Sequence, residues 1–353
     1  MIRQTVGVVF CVASLLGAIG LGIVCAHGDD RSPCWSSPAS GDNPVVASSE
    51  ASGKEMRRPL SPSDGARSDQ TGRFVVLADA AEATPAERLA SRGVVFKPSV
   101  EKPSALEVVD GKLTDDDLTL VAQVKGLKSV KLTGCRVEPA GIKRLSGLES
   151  LKVLGLDNTT ADDAVLDAVG TMANLEELLL TGTKITDSGL KHLVGLKKLK
   201  RLRISDTQVG NEGLKALAPL AALADLDISK TQVTSAGIKE LAALPALVKL
   251  NLYSTQVGDV AAADLAKMPK LKWLNLDATA VTDAALPALT ALSELEFLHL
   301  GRTAVTDAVV DSLGKLAKLK EIHVTRTKIT PAGAARLRAL LPGCTVRDVV
   351  ETP

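Results

Sequence analysis

The feature that most constrains this chain is a period. From Leu127 to Pro342 the text returns every 24 residues to Leu-x-x-Leu-x-Leu-x-x-Thr-x-Val-Thr-x-x-Gly-Leu-x-x-Leu-x-x-Leu, nine times and without insertion or deletion. Leu127, Leu151, Leu175, Leu199, Leu223, Leu247, Leu271, Leu295 and Leu319 fill the first position each time. A copy of this length is too small to bury its own apolar face. Copies must therefore stack into a solenoid that shares one continuous core. Positions 1 to 24 and coils one to nine are counted below from those leucines.

Positions 1, 4 and 6 are apolar and too closely spaced for a helix, which predicts a strand of about three residues pairing in parallel with its copies. Position 9 is Thr159, Thr183, Thr207, Thr231, Thr255, Thr279, Thr303 or Thr327 in eight copies and Cys135 in the first. A hydroxyl there can bond backbone groups at a sharp turn, and Cys135 reads as a small buried thiol rather than a nucleophile. Position 12 is commonly Thr, and Pro331 directly after Thr330 marks position 12 as a helix N-cap. Asp187, Asp283 and Asp307 at position 13 suit the positive end of the helix dipole. Leu190, Leu193 and Leu196 then face inward at helical spacing. The expected fold is an α/β solenoid with a parallel sheet on its concave face and short helices on its convex face. Ala161 and Val165 break the pattern in coil two, which predicts a looser coil there.

The run from Leu175 to Leu190 resembles the cysteine-containing type of leucine-rich repeat, with Thr where Cys or Asn usually stands. The resemblance covers residues 103 to about 348. It implies a protein-binding role and no particular chemistry. Relatives of this type include exported bacterial proteins and ubiquitin-ligase substrate receptors. The receptors carry an F-box, which we do not find in this sequence.

Around the repeats the text changes character. Residues 1–26 hold an uncharged run, Val6 to Ala26, preceded by Arg3. It reads as a cleaved secretory signal, an uncleaved signal anchor that tethers the chain through residues 6–26, or a lipoprotein leader modified at Cys25. Each places the repeats outside the cytoplasm: periplasmic, cell-surface or secreted. Residues 27–79 are rich in Ser, Pro, Gly, Asp and Ala and too poor in apolar residues to offset chain entropy, so they read as a disordered linker spanning ~40 Å. Residues 80–102 are expected to cap the first coil, beginning with a helix at Thr84-Pro85-Ala86-Glu87. Residues 103–342 hold one degenerate and nine regular coils, and 343–353 a terminal strand and tail.

The net charge of +1 gives no reason to expect nucleic acid as a partner. Five scattered cysteines make neither a disulfide framework nor a metal spacing. The motifs of hydrolases, phosphate-binding loops and redox dithiols are missing, so the chain is read as no enzyme, with no cofactor. Asn158-Thr159-Thr160 is a glycosylation sequon, relevant only where the host glycosylates secreted proteins.

Positions 2, 3, 5, 7 and 8 point out of the concave sheet. In coils four and five, Arg201 and Arg203 face Asp225 and Asp227, with Lys249 next, and are expected to pair across strands about 4.8 Å apart. The repeats contain just three aromatics, Tyr253, Trp273 and Phe297, in consecutive coils and all at outward positions. His299 and His323 stand side by side near Asn251 and Asn275. These seven residues form either a protein-binding patch or packing against a neighbour or the linker. Two histidines without a third ligand make no metal site. The expected function is a non-catalytic exported scaffold, monomeric, that recognises a protein or peptide on its concave face. The alternative is a substrate-recognition subunit of an intracellular ubiquitin-ligase-like complex.

Overall fold

The computed structural model describes residues 83–108, 111 and 113–348. The expected signal or anchor, residues 1–26, the expected linker, 27–79, and the first residues of the expected cap, 80–82, lie outside the described residues. Among the described residues no helix is long and apolar enough to cross a membrane.

Twelve strands form one sheet in sequence order: β1 (Val95–Pro98), β2 (Pro103–Val108), β3 (Ser129–Leu132), β4 (Val153–Gly155), β5 (Glu177–Leu179), β6 (Arg201–Arg203), β7 (Asp225–Asp227), β8 (Lys249–Asn251), β9 (Trp273–Asn275), β10 (Phe297–His299), β11 (Glu321–His323) and β12 (Thr345–Arg347). From β2 onward every pair is parallel. Partners differ by 24 in number, as in Leu226 beside Leu250 and Leu274. Equal positions of successive coils are therefore spatial neighbours. The first strand is different. β1 runs antiparallel to β2, following a helix, α1 (Pro85–Ala90), whose start is a capping box between Thr84 and Glu87.

Strand residues alternate in burial: Leu154, Leu178, Leu202, Leu226, Leu250, Leu274 and Leu298 are fully buried, and their neighbours on either side, the buried Gly155 excepted, are at least partly exposed. Each buried leucine contributes roughly 1.5–3 kcal/mol by leaving water. Coil two is not looser, against expectation. Ala161 and Val165 are as buried as their counterparts, and the helix Asp163–Gly170 is longer than the Asp187–Leu190 and Asn211–Lys215 helices of the two coils that follow it.

The turn after each strand has one geometry. Position 8 has φ between 54° and 56° in Asn158, Asp206, Lys230, Ser254, Ala278, Arg302 and Arg326, and is Gly134 or Gly182 in the remaining two. A non-glycine residue costs roughly 1–2 kcal/mol in this region. What holds it there is the backbone ladder: the position-8 N–H donates to the next coil's position-7 carbonyl, as Ala278 does to Gly301 at 2.9 Å. The Thr at position 9 closes the turn by donating its hydroxyl three residues back, for example Thr255 to the Leu252 carbonyl at 2.7 Å. Cys135, in that column, is buried, and burial pushes its thiol pKa up.

A second ladder runs along the helix starts. Thr186, Thr282 and Thr306 cap their helices as predicted. The position-13 acids do more than face the dipole. Asp283 accepts both the Thr306 amide at 2.7 Å and the Thr306 hydroxyl at 2.6 Å from the next coil. Asp163, Asp259 and Asp307 make the same pair of bonds to Thr186, Thr282 and Thr330. The Gly at position 15 has its reason here. A Cβ on Gly213 would come within 2.6 Å of the Asp187 carboxylate.

Candidate functional site

On the outward face, each column of equal positions behaves as one chain of contacts. In position 3, Arg201 bonds Glu177 at 3.0 Å on one side and Asp225 at 2.9 Å on the other. Asp225, through its hydrogen bond, holds the Arg201 pKa above its ordinary value. The expected partner pair fails, however: Arg203 makes no ion pair among the described residues, and Asp227 turns back to accept from Ser229 instead.

From β8 onward the same column changes chemistry. The Lys249 ammonium lies 4.5 Å from the Trp273 ring centre. Trp273 stacks on Phe297, centroids 4.8 Å apart and planes 5° from parallel. That separation is the strand spacing itself, so the rings stand like plates, faces covered and edges toward solvent. Phe297 then meets His323 at 5.3 Å, and His323 stacks on His299 at 4.5 Å. Five of the seven candidate residues are thus accounted for as follows: Trp273 with Phe297 and His299 with His323 form two stacked pairs that meet at a tilt, and Tyr253 is separate from them. No ring contact joins Tyr253 to Trp273 among the described residues. Tyr253 packs under Arg302, 5.0 Å from its ring, with Lys230 at 5.9 Å.

Arg302 reaches Tyr253 from a position-8 backbone and grips Asp277 with two nitrogens. Asp277, only 7% exposed, is neutralised there, and its hydrogen bond raises the Arg302 pKa. The remaining candidates, Asn251 and Asn275, have a local duty. The Asn251 side-chain oxygen accepts the Tyr253 amide at 3.1 Å, and that of Asn275 accepts the Asp277 amide at 2.9 Å. His299 repeats the pattern through Nδ1, which accepts the Gly301 amide at 3.1 Å. Asp227 does so for Ser229 at 3.0 Å. From coil five to coil eight, position 5 is a column of turn caps, and this role was not foreseen. Its signal was a run of short acceptors, Asp, Asn, Asn and His, at one position of consecutive coils.

Gly301 is glycine for the sake of that imidazole: a Cβ there would sit 2.6 Å from the His299 ring carbon. Burial lowers the His299 pKa; His323 and Arg302 act in the same direction, while Asp277 and Glu321 oppose them. The geometry agrees, since a proton on Nδ1 would face the Gly301 N–H. His323 bonds Glu321 at 2.9 Å, and Glu321 also accepts from Arg347 at 2.6 Å. Among the described residues no three side chains of His, Cys, Asp or Glu are grouped to hold a metal.

A family model described as "Leucine Rich repeat" matches residues 171–194 and 195–218, two consecutive periods. No curated protein matches the sequence. Among solved structures, the chain is similar to an internalin C2 of Listeria monocytogenes, with 26% identity, 60% of this chain and 84% of that one covered, and a TM-score of 0.45. It is also similar to an internalin F of that organism, with 18% identity, coverage of 72% and 92%, and a TM-score of 0.42.

Proposed function

We propose that this leucine-rich-repeat protein is a non-catalytic scaffold that works outside the cytoplasm and binds a protein or peptide on its concave face over coils six to nine. One observation carries the reading. The aromatic side chains of the repeats stand on the outward face, Trp273 and Phe297 in a stack that the core does not need. Rigid, half-buried aromatic and arginine side chains are the groups that dominate protein interfaces. Neither imidazole bonds a hydroxyl or thiol among the described residues, so the face is read as recognition rather than chemistry. The uncharged run Val6 to Ala26 supports the location.

The test compares proteins retained by the immobilised full chain and by two variants. Trp273→Ala should weaken retention of a true partner by about 2 kcal/mol or more. Arg201→Ala, inside a self-paired ladder, should leave it nearly unchanged. If Trp273→Ala lowers the melting temperature and spares affinity, the stack is packing and the reading fails. Recovery of the uncleaved chain from cytosol by fractionation would overturn the location.

A further inference from the structure

Resting on that reading, the hydrogen-bond directions on the concave face say what kind of segment it takes. Asn251, Asn275 and His299 each spend their acceptor atom on a backbone N–H two residues on. An amide N–H can only point at the oxygen of an Asn and at the bare nitrogen of an imidazole, so the orientations follow. With the acceptor atoms turned to the backbone, what the row presents is two amide NH2 groups and, in the neutral ring, one Nε2–H. These nitrogens make no hydrogen bond, and no buried side-chain nitrogen or oxygen lacks a partner among the described residues, so they reach solvent. They stand on adjacent strands, about 4.8 Å apart.

The charges beside this row point the same way. Lys249, Lys230 and Arg326 form no ion pair among the described residues; the first two lie against aromatic rings. The nearby carboxylates are committed, Asp225 to Arg201, Asp277 to Arg302 and Glu321 to Arg347 and His323. The carboxylates without an ion pair among the described residues on this side, Asp206 and the turn-capping Asp227, lie back on coils four and five, where the row ends. Over coils six to eight the face thus presents donors and cations, while the carboxylates beside them are engaged in ion pairs.

We infer that the row Asn251, Asn275 and His299, flanked by Lys249, binds an acidic peptide segment whose carboxylates and carbonyls accept from it. The turn caps supply a clean test, because Asp227 shows that a carboxylate performs the same cap. Asn275→Asp and Asn251→Asp keep the backbone bond and turn a donor into an anion. Asp227→Asn lengthens the donor row by one.

A random-peptide display is selected on the immobilised full chain, and octaglutamate is then titrated against the chain and the variants. Acidic peptides should be enriched, and octaglutamate binding should fall about tenfold in Asn275→Asp or Asn251→Asp and tighten about twofold in Asp227→Asn. Rising salt should weaken it. Neutral or basic peptides that depend on Trp273 would overturn the acidic specificity and leave the protein-binding reading standing. Acidic peptides indifferent to both Asn variants would also overturn it, since they bind elsewhere. Enrichment of nothing would remove both readings. Asparagine-dependent binding of polygalacturonate without octaglutamate would reassign the face to polysaccharide and overturn the inference.

Discussion

Coils four and five and coils seven and eight put the same backbone positions on the same face and fill them differently. Arg201 is clamped between two carboxylates, whereas Trp273 lies between an ammonium and a second ring. Both answer one constraint: with equal positions about 4.8 Å apart, a column of side chains must pair or repel. Ion pairs consume both members. Stacking consumes faces and leaves edges and a terminal cation. What a solenoid offers a partner is therefore the remainder of each column after it has satisfied itself.

The difference should be confined to the outer surface. Leu226 and Leu274, the strand centres of coils five and seven, are both fully buried. Leu226→Ala and Leu274→Ala should each cost about 2–5 kcal/mol in denaturant unfolding, with the damage local to adjacent coils. A cost below about 1 kcal/mol at either site would show that the two regions differ in their cores as well.

On the face, salt should separate them. Trp273→Ala should cost about 1 kcal/mol of stability at any ionic strength. Asp225→Ala should cost less than about 1 kcal/mol, and that effect should shrink as salt screens the pair. Equal salt dependence would erase the distinction.

A smaller effect concerns acid. The folded His299 pKa lies below its ordinary value of about 6.5, chiefly through burial, so below that pH the unfolded chain takes up a proton that the folded chain refuses. The stability of the neutral ring is intact above about pH 6.5 and lost as pH falls toward the folded value. His299→Asn should keep the Gly301 bond, as Asn251 and Asn275 keep theirs, and flatten the acid limb of a melting-temperature profile. An unchanged limb would remove His299 as its source.

The smallest change is at position 8. Ala278→Gly relieves a φ of 54° and should raise stability by about 0.5 kcal/mol, the relief being partly offset by a more flexible unfolded chain. A loss instead would mean that the ladder bond to Gly301 sets the geometry without strain.

The period, the inward leucines, the Thr turns and the Thr caps were legible because each repeats at one position and has one physical cause. The outward placement of Trp273 and Phe297 was legible from the same register. What escaped depends on direction rather than position. Nothing in the text says that Asp227 turns to Ser229 and abandons Arg203, or that Asn251 faces its own backbone, because each acceptor had two donors within reach. The contact of Tyr253 with Arg302 spans two coils and starts from a left-handed backbone, so strand spacing alone does not predict it. The second role of Asp283, on Thr306, was hidden behind a sufficient first one.

The paired columns have a consequence for how such a chain can change its length by recombination. Position 3 alternates in sign through Glu177, Arg201, Asp225 and Lys249, and position 2 does so through Lys152, Glu176 and Lys200. Excising one coil of 24 residues would leave the core continuous but set Glu177 against Asp225, or Arg201 against Lys249. Excising two would restore opposite neighbours. Over this stretch the surface therefore imposes a parity that the interior does not: coils are gained or lost in pairs, or the charges at the splice must change with them.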